Sequence, residues 1–277
     1  VARVLAASLS KKLGRVVLVE NRGGAAGLIG VRYVQTAPAD GNVLLFTPPG
    51  YITLTLLNRS AGYDPIKDFT PIGLAGRSPL FLMVHKDIPA TNPQELIEYA
   101  KRQPGGIDAA NAGLGSVGHI AAMLFAREVG ISLTHIAYRG TGEAGTALLS
   151  GVVKMQINST TVALNEAARN GVVRFLAVIA ERRSPLAPDV PVIGDVFRGA
   201  AAEPWYGLLG PAGLSPDYVQ EVSLSLHDAL EEAQVRESFF TGFIEPEYSN
   251  ADQMQAAVIK STEFWTKAFR ELEIAPQ

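Results

Sequence analysis

The residues able to do chemistry gather between Ile107 and Gly151, in IDAANAGLGSVGHIAAMLFAREVG and the ISLTHIAYRGTGEAGTALLSG that follows it. Gly113, Gly115 and Gly118 satisfy G-x-G-x-x-G where a short strand passes into a helix. That pattern lets a dinucleotide pyrophosphate approach the backbone, and Arg139 stands where an NADP-specific arginine could sit. The same loop serves a simpler guest. Ser116 is an N-cap, and the free N–H groups of a helix start attract a carboxylate as readily as a phosphate. A turn that binds nothing also fits the glycines. Ser116 and His119 lie three apart on one helical face and could touch. A hydrolase would need G-x-S-x-G and an orienting carboxylate, so a capping serine beside a packed histidine is the simpler reading. His85, His135 and His227 form no i, i+4 pair, which argues against a metal site, and no P-loop pattern occurs.

These residues need elements to hold them. IDAAN reads as a strand, Ile120, Met123, Leu124 and Arg127 follow at helical spacing, and Gly130 stops the helix. ISLTHIAY reads as the next strand, Thr141 as a cap, and Ala144, Ala147 and Leu148 as one apolar face ended by Gly151. Two helix N-termini thus open from successive strand ends, and in a parallel sheet both would line the same edge.

Strands and helices alternate elsewhere too. Residues 1–13 read as an amphipathic helix, with Val1, Val4, Leu5, Leu9 and Leu13 on one face and Gly14 ending it; VVLVE, VLLFT, LFLMVH, VVKMQI and VRFLAVIA read as strands. Asn92, Pro93 and Glu95 spell a helix start with a capping box. The stretch from Thr53 to Leu74 alternates weakly and suggests a short helix and an ordered loop. After a proline-rich stretch, WYGLLGPAGL gives another strand, with Trp205 either a core aromatic or a pocket wall. Two long helical segments end the chain, and Val258, Trp265, Phe269 and Leu272 form a packing stripe in the last. The expected fold is α/β, with mostly parallel sheets flanked by helices. LFLMVH and the proline-rich return suggest two lobes, residues 1–83 with 204–277 and residues 84–203.

Bulk properties narrow the function. At 277 residues and 47% hydrophobic, the chain can bury substantial cores, and a net charge of −3 recommends neither nucleic acid nor anionic membrane. Cysteine is absent, which excludes disulfides, thiolate metal sites and cysteine nucleophiles.

Several segments together resemble one family, the extracytoplasmic solute receptors of tripartite tricarboxylate transporters, called Bug-type proteins. They are VVLVENRGGAAGLIG, APADGNVLLFT, YDPIKDFTPIGL, NAGLGSVGHIAAMLF, HIAYRGTGEA, RFLAVIAERRSPLAPDVPVI and WYGLLGPAGLSPDYV. The resemblance implies a type II periplasmic-binding fold of Venus-flytrap kind, without catalysis or cofactor; a monomer is the default expectation, and no metal is expected. It implies a periplasmic protein that closes on a small organic carboxylate and delivers it to membrane permease subunits. By family position Gly115, Ser116 and Thr141 would contact the ligand from the second lobe, and Thr47 and Pro48 from the first. Asn158, where relatives usually carry aspartate, would lie near the cleft and spare an anion a repelling charge. Gly113, His119, Tyr138 and Trp205, within the same segments, complete the candidate set. The family begins with a strand and a P-G-G loop that precede the helix in which this sequence starts. The resemblance therefore implies a pocket open on one side and weak or absent binding until that segment is supplied. An NADP-linked oxidoreductase and a ligand-sensing partner of a membrane receptor remain the alternatives.

Overall fold

The computed structural model describes residues 1–180, 183–194 and 204–274. The chain divides into two units. Unit one comprises Val1–Ser78 and Trp205–Phe269; unit two comprises Pro79–Pro204 and Arg270–Glu273.

The first part of unit one runs α1 (Ala2–Lys12), α2 (Leu28–Gln35), β1 (Leu45–Thr47), α3 (Gly50–Leu57) and β2 (Phe69–Arg77). Unit two follows with β3 (Leu80–His85), α4 (Pro93–Lys101), β4 (Ile107–Asn111), α5 (Val117–Val129), β5 (Leu133–Ala137), α6 (Thr141–Leu149), β6 (Met155–Asn158), α7 (Val162–Arg169) and β7 (Val173–Ile179). The chain then returns through β8 (Trp205–Pro211), α8 (Pro216–Leu230), α9 (Ala233–Thr241), β9 (Glu245–Ser249) and α10 (Ala251–Glu271).

The sheet of unit one has the order β1-β8-β2-β9, and all its pairings are antiparallel. This corrects the expectation of mostly parallel sheets. Successive neighbours here are not joined by strand–helix–strand crossovers, because β8 and β9 arrive only after the chain has built unit two. α8 supplies the main apolar face: Val219, Val222, Leu226, Ala229 and Leu230 recur every three or four residues and pack with Leu5, Leu9, Ile72 and Phe239. β2 replaces the expected ordered loop. Its alternation is broken by register shifts between Pro71 and Gly73 and between Leu74 and Gly76, the signature of bulges. A Cβ on Gly76 would stand 2.6 Å from the Glu245 carbonyl oxygen, so β9 can approach only glycine there. VVLVE forms no strand. Val16 and Leu18 are 82% and 85% exposed, while Val17 packs on the core and donates its N–H to Ser10 Oγ at 2.8 Å. The residues alternate as a strand would, but no strand of the described sheet runs beside them.

The sheet of unit two has the order β5-β4-β6-β3-β7. β5, β4 and β6 are mutually parallel, whereas β3 runs antiparallel to both β6 and β7. All six residues of β3 are buried. The whole of LFLMVH therefore belongs to unit two, and the passage expected at residue 83 falls after Ser78. Phe81, Met83, Ala110, Ala144, Leu148, Leu164 and Val178 form a buried core between this sheet and α6 and α7. α4 starts as its sequence predicts: Asn92 Oδ1 accepts the Glu95 N–H at 2.9 Å. Glu95 Oε2 in turn accepts the Thr91 N–H at 2.7 Å, one residue before the position expected of a capping box.

Candidate ligand site

β4 leads into α5 and β5 leads into α6, and β4, β5 and β6 are parallel. Both helix starts and the ends of all three strands therefore lie along one carboxyl edge of unit two, where α/β sheets bind ligands.

The β4–α5 loop is held by its own hydrogen bonds. Gly113 and Gly115 have φ of 119° and 80°, a region that L side chains seldom enter. Asn111 Oδ1 accepts the Gly113 N–H at 3.0 Å, and the Ser116 N–H donates to the Gly113 carbonyl at 3.0 Å. Ser116 caps α5, accepting the His119 N–H on Oγ at 3.3 Å. His119 reaches back, and its Nδ1 accepts the Gly115 N–H at 3.1 Å. Its proton must then sit on Nε2. The N–H groups of Gly113, Gly115 and Ser116 are thus used within the loop. The donors that remain lie one step further on. The N–H groups of Val117 and Gly118, in the first turn of α5, have no acceptor among the described residues. There the helix carries its partial positive charge.

Two asparagines end the neighbouring strands. Asn111 ends β4 and is 1% exposed; Asn158 ends β6 and is 5% exposed. The orientation of each amide is set by its oxygen, since Asn111 Oδ1 takes the Gly113 N–H and Asn158 Oδ1 takes the Ser159 N–H at 3.0 Å. Each is left with a buried Nδ2 that has no partner. Asn158 adjoins the helix start: its Oδ1 lies 3.3 Å from where a Gly118 Cβ would be. Buried amide donors are normally satisfied, so each of these two marks a place where an acceptor belongs.

His119 is buried, and its ring meets His135 edge-on with centroids 4.8 Å apart. Burial, reinforced by His135, pushes its pKa from the ordinary 6.5 down to about 4. Burial lowers His135 too. His119 is therefore a neutral loop anchor, not an acid or base. Tyr138 follows β5, packs partly against the core and donates its N–H to the Asn111 carbonyl at 3.0 Å. Thr141 is the first residue of α6 rather than its cap; Gly140 holds that position with no side-chain capping bond.

The candidates of unit one are placed differently. Thr47 ends β1, paired with Gly207, and donates from Oγ1 to the Pro48 carbonyl at 3.0 Å. Trp205 is a core residue. It is 2% exposed, lies edge-on to Tyr51 and gives its indole N–H to Ser261 Oγ at 2.9 Å. That favours the core reading left open by the sequence over a pocket wall. Among the described residues, no group of three or more His, Asp or Glu could hold a metal ion, and no helix is long and apolar enough to cross a membrane.

The loop allows a direct prediction. Ser116→Ala removes the cap of α5 and should lower stability by about 0.5–2 kcal/mol, read from the urea midpoint at constant slope. An unchanged midpoint would show that Ser116 does not cap the helix in solution.

The two α/β units, with donors ranged along a strand edge, have the architecture of periplasmic solute-binding proteins. The chain belongs to the tripartite tricarboxylate transporter family receptors, whose pattern it matches over residues 1–273. Protein BugT of Bordetella pertussis is 31% identical over 274 residues, spanning 98% of this chain and 83% of that one. The periplasmic binding protein BugD superposes with a TM-score of 0.90 at 31% identity, over 100% of this chain and 93% of the other. An R. palustris protein solved with adipate gives 0.92 at 30% identity, again over 100% and 93%. MatC from Rhodopseudomonas palustris, solved with bound malate, gives 0.86 at 27% identity, over 96% and 92%. The family consists of solute receptors rather than enzymes, which overturns the oxidoreductase alternative. The loop agrees: the Gly113 and Gly115 N–H groups that a pyrophosphate would need are turned onto Asn111 and His119.

Proposed function

We propose that this protein is a periplasmic receptor that captures a small organic carboxylate and passes it to the permease subunits of a tripartite tricarboxylate-type transporter. The carboxylate is held at the carboxyl edge of β5, β4 and β6. Its oxygens accept from the Val117 and Gly118 N–H groups and from the Asn111 and Asn158 amides, with Ser116, Tyr138 and Thr141 bordering the place. The observation that carries this reading is the pair of buried Nδ2 groups without partners, each aligned by a backbone bond to its own oxygen. Hydrogen bonds from fixed dipoles to an ionised acceptor are stronger than neutral ones. Adipate and malate in two related structures support the ligand class.

A thermal-shift panel of small mono-, di- and tricarboxylates, with NADP in the same plate, tests it. A ligand at one hundred times its dissociation constant adds about 2.7 kcal/mol, which raises the melting temperature by several degrees. The expected result is a shift with at least one carboxylate and none with NADP. A panel in which no carboxylate shifts the transition contradicts the reading.

A further inference from the structure

Gln156 is a polar side chain in the core of unit two. It lies on β6, is 0% exposed, and stands opposite Met83 of β3, whose Sδ accepts from Gln156 Nε2 at 3.7 Å. That contact sets the amide, and Oε1 is left buried with no partner among the described residues. A buried acceptor without a donor is destabilising, and methionine or leucine would fill the same space without one. Two residues further along the strand stands Asn158, opposite Phe81. Side chains alternate along a strand, so Gln156 and Asn158 share the face that carries Met83 and Phe81, with Cα atoms about 6.6 Å apart. Asn158 is incomplete in the opposite sense: its Oδ1 takes the Ser159 N–H, and its Nδ2 is buried without a partner. An unused acceptor and an unused donor are thus next neighbours on one face of one strand. Two hydrogen bonds of about 2.9 Å meeting at one oxygen span about 4.7 Å, and the longer glutamine side chain covers the rest of the separation.

Resting on the carboxylate reading above, we propose that one buried water joins the two, accepting from Asn158 Nδ2 and donating to Gln156 Oε1, and that Gln156 is thereby a positioning residue for the ligand. A buried water needs at least two polar partners, and these supply them. Nδ2 carries two hydrogens, so one goes to the water and the other to the carboxylate. Ser159 fixes the amide oxygen and the water fixes the nitrogen, so the donor is held in place before the ligand arrives. Such preorganisation raises affinity because less freedom is lost on binding.

Magnetic resonance of the ligand-free protein reads the bridge directly. The Asn158 and Gln156 NH2 protons should both show cross-relaxation with one long-lived internal water. Calorimetry with the best acid of the carboxylate panel reads the positioning. Gln156→Met keeps the bulk beside Met83 but removes Oε1, and should weaken binding about tenfold; Gln156→Leu gives the same reading should that variant fail to fold. In an Asn158→Ala background the change at Gln156 should alter affinity less than twofold, because it acts only through that amide. A packing defect would weaken both backgrounds equally. Missing water signals overturn the bridge, and an equal loss in both backgrounds, or no loss in either, overturns the positioning role. If no acid binds the unaltered protein, the carboxylate reading falls and takes the positioning role with it, while the water signals still decide the bridge.

Discussion

Gly118→Ala should abolish carboxylate binding and destabilise the protein, although on an open helix surface the same change would help. Alanine favours a helix over glycine by about 1 kcal/mol. Gly118 lies in the first turn of α5 at an ordinary helical φ, so its backbone alone gives no reason for glycine. Its surroundings do. A Cβ there would collide with the Ile157 carbonyl oxygen and stand 3.4 Å from the Asn158 Cα. Both are backbone atoms in or at the end of β6, so no rotamer change relieves the clash. Overpacking of this kind costs about 1–3 kcal/mol, which outweighs the propensity gain. The start of α5 must move off β6, carrying the Val117 and Gly118 N–H groups away from the Asn158 amide. Affinity should fall at least a hundredfold by calorimetry, with a lower urea midpoint. Gly142→Ala is the control for stability: it occupies the same position in α6, and a Cβ there meets nothing within 4 Å. That variant should be neutral or slightly stabilising. Equal effects of the two substitutions would show that α5 does not sit against β6 as described.

Lowering the pH from 7 to 4 should remove roughly 3 kcal/mol of stability through His119 alone. The unfolded chain takes up this proton near 6.5, whereas the folded chain resists it until about 4. Between those values the unfolded state holds more protons, so stability is at its full value above 6.5 and is lost as the pH falls toward 4. One unit of pKa difference corresponds to 1.36 kcal/mol, which gives the size. His135, lowered for the same reason, acts in the same direction. Protonation also removes the acceptor on Nδ1 that holds the Gly115 N–H, so the loop should loosen over the same range. His119→Asn keeps an acceptor at that position and does not titrate. Urea unfolding of both proteins at pH 7 and at pH 4 should show the wild type losing roughly 3 kcal/mol more than the variant. Equal losses would mean that His119 is solvated in solution.

Much of what the sequence made legible was local. The Ser116 cap, the Gly130 stop and the Asn92–Pro93 start of α4 each depend on groups within a few residues of one another, and each appears where its spacing puts it. Features that depend on distant partners did not show. β2 was hidden because Pro71, Gly73 and Gly76 break the alternation, and they do so to fit β8 and β9, which lie far along the chain. β9 itself, EPEYS, has little apolar pattern and lies between two helical segments. VVLVE has the pattern of a strand, but among the described residues no strand runs beside it.

The site divides in the same way. The glycine loop and its serine were visible, but the use of their N–H groups inside the loop was not. That use depends on His119 folding back onto Gly115 and on Asn111 turning onto Gly113. Asn111 stood in plain view at the end of IDAAN, and its position at the end of a polar strand was the available signal. That it ends a strand next to the one Asn158 ends emerges only when β4 and β6 lie parallel, and the freedom of both amide nitrogens only when both oxygens are bonded.

The most direct test of the central claim is a nuclear magnetic resonance titration of the labelled protein with the best acid from the carboxylate panel. The largest shifts should fall on the Val117 and Gly118 amides and on the side-chain NH2 resonances of Asn111 and Asn158. Those two NH2 groups should also become protected from solvent exchange as the ligand saturates. If the acid binds while these four signals stay unmoved and the changes gather elsewhere, the carboxyl edge of β5, β4 and β6 is not where the ligand is held.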